Sequence, residues 1–216
     1  MRILRIVSIL GFGVVAAFAQ APEDLAKVAQ ESRETANRSL DTLKQLASGA
    51  SYKSLGFNSA DEAKSAVLGD PTLSYYVRLD RLREYQAGAD PNALLAGGGE
   101  KIVYPVLIGR DVRSSVILEK SGGAWKAASF GGAAFSKLFF GARAAKQPGA
   151  PGGSYFVVSV PALALNFLGS KAGGTFTLES LADDRASGVR AGTVRPAGEV
   201  FTSLVPVARA YNGLPR

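Results

Sequence analysis

Three runs, KIVYPVLIG (101–109), VRSSVILEK (112–120) and AWKAASFGG (124–132), follow one another across the tight connections GRD and SGG. Each is of strand length, and the connections are short enough to predict consecutive antiparallel hairpins. Strand alternation sets Arg113, Ser115, Ile117 and Glu119 on one face and Val112, Ser114, Val116 and Leu118 on the other. Pro105 has no N–H to donate, so the first run is expected at a sheet edge or with a bulge.

Toward the N-terminus, LSYYVRL (73–79) alternates Leu73, Tyr75, Val77 and Leu79 with Ser74, Tyr76 and Arg78. That pattern predicts a strand with one buried and one wet face. In FNSADEAKSAVLGDP (57–71), Ser59 and Glu62 stand in capping-box spacing, opening a short helix that Gly69 and Pro71 close. Residues 80–85 and 92–95 read as short helical connectors. Pro22, Glu23 and Asp24 suit a helix start, and a stripe of Leu25, Val28, Ser32, Ala36, Leu40, Leu43 and Ala47 predicts a helix over 22–48. At roughly 40 Å it is expected to carry its N-terminal half beyond the core, framing a groove or meeting a partner.

Toward the C-terminus, FSKLFF (135–140) is a short apolar patch, and GARAAKQPGAPGG (141–153) reads as a flexible Gly/Pro-rich loop. SYFVVSVPALALNFLG (154–169) and GTFTLESL (174–181) each supply a strand candidate. A final helix is expected from Pro196, with Val200, Leu204, Val207 and Tyr211 as its stripe, Pro206 kinking it and Asn212-Gly213 ending it. Helices segregated from consecutive antiparallel strands make an α+β fold. The arrangement expected first is N-terminal helices packed on a curved antiparallel sheet in a cystatin-like manner, with a profilin-like or PAS-like sheet as the alternative.

Ahead of this body, Arg2 and Arg5 precede an uncharged run over residues 6–19, and Ala17-Phe18-Ala19 offers the small residues of a cleavage site. Residues 1–19 therefore read as a signal peptide cut before Gln20, being shorter than the ~20 apolar residues of a membrane span. Residues 20–216 are expected as a single domain, periplasmic or secreted, with no stable span after cleavage. A body of that size buries roughly 70% of its extended surface without disulfides, and there is no cysteine to form one.

The chain also has no histidine. A Ser-His-Asp triad, a thiol nucleophile, a histidine base and a histidine or thiolate metal site are therefore excluded. Asp183-Asp184 reads as a surface turn, lacking the spaced oxygen ligands of a calcium loop. Ser136-Lys137 and Lys120-Ser121 lack the Ser-x-x-Lys spacing that would put both groups on one helical face. The expectation is no catalytic residue, no metal site and no cofactor.

Charge is unevenly spread. Residues 20–100 carry a net −3, residues 101–216 a net +8, and residues 101–146 alone a net +6. Cations beside aromatics in the hairpins, Arg110, Arg113, Trp125 and Lys126, are the candidate binding residues, accompanied by Tyr104, Lys120 and Phe130. The expected partner is an anionic envelope component or another protein, with no role for nucleic acid. The leading expectation is an exported, non-enzymatic binding or interaction module of the cell envelope. The alternative is a carrier of an apolar small molecule or lipid between helix and sheet; a carboxylate-based hydrolase ranks third. Oligomeric state is left open.

Overall fold

A computed structural model of the chain describes residues 25–49, 51–146, 155–172 and 174–213. The segment read as a signal peptide lies outside the described residues.

The long helix forms as α1 (Leu25–Ala47) and buries Val28, Ser32, Ala36, Leu40, Leu43 and Ala47, the stripe its sequence sets out. Its N-terminal half does not reach past the core. Ser32 and Val28 are buried, and Ser32 Oγ lies 2.8 Å from Tyr104 Oη, which also donates to the Ala29 carbonyl at 3.1 Å. Two buried hydroxyls thus satisfy each other, which explains the one polar residue in an apolar stripe. The desolvated Tyr104 hydroxyl is pushed above its usual pKa by that burial.

Helix α2 (Ala60–Lys64) starts where Ser59 accepts from the Glu62 N–H at 3.0 Å, while the Glu62 carboxylate reaches back to Asn58. The chain then forms a short β1 (Val67–Leu68), bends through Gly69 and Pro71, and enters β2 (Thr72–Val77). Helix α3 (Leu79–Arg83), a 3-10 turn (Pro91–Leu94) and β3 (Leu95–Ala96) follow. The three hairpin runs are β4 (Lys101–Ile108), β5 (Asp111–Ser121) and β6 (Ala124–Phe130).

Two bulges modify the expected alternation. Val106 opposes Ser114 and Leu107 opposes Val112, so Arg113 is the extra residue on β5 and the faces change phase there. Val112 therefore packs with Ile117 rather than with Val116 and Leu118. A second bulge leaves Ala128 extra on β6. Pro105 sits on an interior strand, between the β4 residues that pair with β2 and those that pair with β1, and its carbonyl accepts from Gly69 N–H at 2.8 Å. The missing proline donor falls where the neighbouring strand is interrupted.

Residues 141–146, expected as the start of a loop, are instead the last turns of α4 (Ala133–Lys146), while 147–153 lie outside the described residues. The helix buries Phe139 and Phe140, and Arg143 donates to the carbonyls of Pro71 and Asp70 at 3.2 Å. The segment read as one strand from 154 to 169 is two, β7 (Tyr155–Val160) and β8 (Leu165–Ala172), because Pro161 opens a 3-10 turn that ends with Ala164 at φ 55°. Next come β9 (Thr175–Ser180), a short β10 (Val194–Pro196) and α5 (Ala197–Ala210), which contains Pro206.

The fold is α+β with a ten-stranded mixed sheet in the order β10-β9-β8-β7-β2-β4-β5-β6, β1 and β3 pairing beside β4 and β2. All pairs are antiparallel except β2 with β7, so the sheet is not the wholly antiparallel one expected. Two meanders run outward from this central parallel contact. Ile102, Tyr104, Val106, Phe156, Val158, Phe167 and Leu178 share one core with α1 and α5, whereas Val103, Val157 and Leu168 share another with α4. Helices therefore cover both faces. Central β2 is buried at Thr72, Leu73, Ser74, Tyr75 and Val77, not on one face as expected, and Tyr76 alone is exposed.

Candidate functional site

The four hairpin residues singled out by sequence do not converge. Arg110 lies exposed in the β4–β5 turn. Arg113, the bulge residue, pairs with Glu62 Oε1 at 3.1 Å and Asp111 Oδ2 at 3.5 Å, pinning α2 to β5. Trp125 and Lys126 lie near the start of β6 at the opposite end of β5 from Arg113, where Trp125 pairs across to Lys120. Seven residues of strand separate Arg113 from Lys120, about 24 Å.

The Trp125 end is the more elaborated of the two. Lys120 Nζ lies 2.8 Å from Glu31 Oε2 on α1 and 5.7 Å from the centroid of the Trp125 ring. Its hydrogen bond holds the Glu31 carboxyl below the usual 4.5. The buried Trp125 Nε1 makes no hydrogen bond of ordinary geometry, and its effect on Glu31 is the smallest of those that lower it. Lys101 pairs with Glu119 at 2.8 Å, and Glu119 stands opposite Lys126 in the ladder.

Strand β6 ends the sheet. Ala124, Lys126, Ala127, Ala128 and Ser129 are exposed, and Trp125 and Phe130 are the two side chains that pack inward on the core. Among the described residues no strand pairs with the outer row of N–H and C=O groups of β6. An edge of this kind is a template for an added strand.

Several acids are engaged in local contacts. Asp61 pairs with Lys64 at 2.6 Å and Asp80 with Arg78 at 2.8 Å. Asp183 Oδ1 accepts from Ala191 N–H at 2.8 Å and Asp184 Oδ2 from Ser187 N–H at 3.0 Å, so this pair braces its own turn. Ser136 is buried on α4 while Lys137 beside it is exposed. Among the described residues no group of three or more acids could hold a metal ion.

A feature that sequence reasoning missed is a cleft between the loop after β9 and the start of α5. It is lined by Phe167, Leu178, Val189 and Val200, with Ser180, Thr193, Arg190 and Arg195 as its polar members. The cleft collects residues from β8, β9, β10 and α5 with no common period. The only local signal is the recurrence of arginine at 185, 190 and 195 in a glycine-containing turn.

Neither a protein-family model, nor a curated protein, nor a solved structure matches this chain.

Proposed function

We propose that this chain is an exported, non-enzymatic binding module of the cell envelope that takes an extended acidic segment of a partner protein onto β6. The observation that carries the reading is the exposed, alanine-rich edge strand with Lys126 on it. Main-chain hydrogen bonds along the edge supply affinity in this mode, and side chains facing the added strand supply selectivity. Lys126 opposite a carboxylate contributes roughly 0.2–1 kcal/mol, and the net +6 of residues 101–146 draws an acidic segment to this side. A second copy of the same basic strand is repelled by like charge, and the bulge at Ala128 limits pairing beyond residue 127. Of the two arrangements expected from pattern, we carry the cystatin-like one for the unit in which α1 lies on β4, β5 and β6.

The test is capture from envelope extracts, and binding of an extended acidic peptide, by the protein and by Lys126→Pro and Ala127→Pro variants. Adjacent residues turn their N–H groups to opposite sides of the strand, so one of the two prolines removes an outward donor. The expected result is at least a tenfold loss of peptide binding in that variant, roughly 1.4 kcal/mol, with thermal unfolding showing that it remains folded. Both folded variants binding as well as the parent would end this reading.

A further inference from the structure

We infer that the cleft between β9 and α5 is a binding site for a small amphiphilic carboxylate, its tail on the apolar floor and its head between Arg190 and Arg195. The floor is made by Phe167, Leu178, Val189 and Val200, all at most 8% exposed. Among the polar members Ser180 ends β9, Thr193 precedes β10, Arg195 lies on β10, and Arg190 stands exposed in the loop between. A site with an apolar bottom and few convergent polar groups is the usual form of a small-molecule pocket.

Size sets the ligand class. The cleft holds about 100 Å³, well under the roughly 300–1,000 Å³ of sites for drug-sized ligands. Water on an apolar floor is poorly satisfied. A short aliphatic or aromatic tail displaces it to advantage.

Charge sets the head group. Guanidinium groups match a carboxylate through two parallel N–H donors, so two arginines at one mouth select an oxyanion. Arg195 Nε is 3.7 Å from Glu199 Oε2, beyond a direct hydrogen bond. Glu199 is thus a loosely held internal carboxylate that an incoming one competes with. The nearby acids are committed elsewhere: Glu179 pairs with Lys146 at 2.9 Å, and Asp183 accepts from the Ala191 N–H.

Hexanoate titrated into the ¹⁵N-labelled protein tests the inference, with hexan-1-ol as the uncharged probe of the same length. Saturable shifts on the order of millimolar affinity are expected at residues around Ser180, Val189 and Val200. Hexan-1-ol should bind about tenfold more weakly. The double variant Arg190→Gln/Arg195→Gln should weaken hexanoate about tenfold and leave hexan-1-ol unchanged, whereas Glu199→Gln should strengthen hexanoate a few-fold. Arg190 and Glu199 are exposed and Arg195 half-buried, so the variants keep the core intact. The inference is overturned if hexanoate gives no saturable shift, if the alcohol binds as well as the acid, or if the double variant binds hexanoate unchanged. It is independent of the β6 reading, and its failure leaves strand capture at the far end of the sheet untouched.

Discussion

The two ends of the sheet are finished in different ways. At one end β6 offers seven residues, most of them exposed and small, with one lysine and no proline. At the other, β10 contributes three residues and stops at Pro196, which lacks an N–H and leads directly into α5. The loop before β10 closes that end further, since Gly192 N–H donates to the Ser180 carbonyl and Ser180 N–H to that of Thr193. Brevity, proline and a covering helix are the devices by which sheets avoid unwanted pairing. One edge has all three, whereas the other has only a bulge and Lys126. That difference is what the proposed strand addition at β6 rests on.

The largest effect should come from removing what shuts the β10 end. Phe201 on α5 is fully buried, with ring contacts to Tyr85 at 5.9 Å and Phe176 at 6.3 Å. Those rings continue through Phe156 to Tyr75, at 5.7 and 5.2 Å, so one aromatic chain ties α5 to the central strands. Phe201→Ala should cost about 3–5 kcal/mol in urea unfolding. It should also bring concentration-dependent association in sedimentation as α5 loosens from its edge. A cost below about 1 kcal/mol would mean that the aromatic chain does not hold the helix there.

Hydrogen exchange compares the β6 edge with the interior of the other half of the sheet. Among the described residues no strand pairs with the outward amides of β6, while those of β8 and β9 are laddered on both sides. Exchange at the outer β6 amides should be about 100-fold faster than at β8, and binding of an acidic extended peptide should slow the β6 set alone. Equal protection at rest would show that the β6 edge is already covered, and the contrast between the ends would disappear.

The readable parts of this fold are those whose signals are local. The β4–β5–β6 meander follows from alternation and short turns, and α1 from a stripe in which even Ser32 has a physical reason, though one that required Tyr104 to be seen. Helix α4 is not legible as one element because FSKLFF and GARAAK look like a patch and a loop when read apart. Their helical unity depends on burying Phe139 and Phe140 against Val103, Val157 and Leu168, residues far away in the chain. The parallel pairing of β2 with β7 joins Ser74 to Val157 across more than eighty residues, and no neighbouring pattern encodes it. The candidate site failed to converge for the same kind of reason. Arg110 and Lys126 are close in sequence, but an eleven-residue strand places them at opposite ends. The cleft arginines carry no periodic signal, because a turn-rich loop has no period for them to follow.

The smallest effect concerns the corner where α1 meets β6, and it has a built-in reporter because Trp125 is the only tryptophan. Lys120 bridges Glu31 and the indole, and its hydrogen bond holds the Glu31 carboxyl below 4.5 when folded. A carboxyl whose folded pKa is depressed gives its full stabilisation above the unfolded value and loses it as pH falls through the folded one. Trp125 emission should therefore be constant from neutral pH to about 4.5 and shift in a single step below it, as Lys120 is released from protonated Glu31. Glu31→Gln should abolish that step while leaving the far-UV circular dichroism unchanged, and salt should move its midpoint upward because the pair is partly exposed. A step that persists in Glu31→Gln would assign the titration to another acid, and α1 would then anchor β6 through apolar packing alone. A step that also follows addition of an acidic peptide at neutral pH would place that peptide at this corner, since a competing carboxylate draws Lys120 from Glu31 as protonation does.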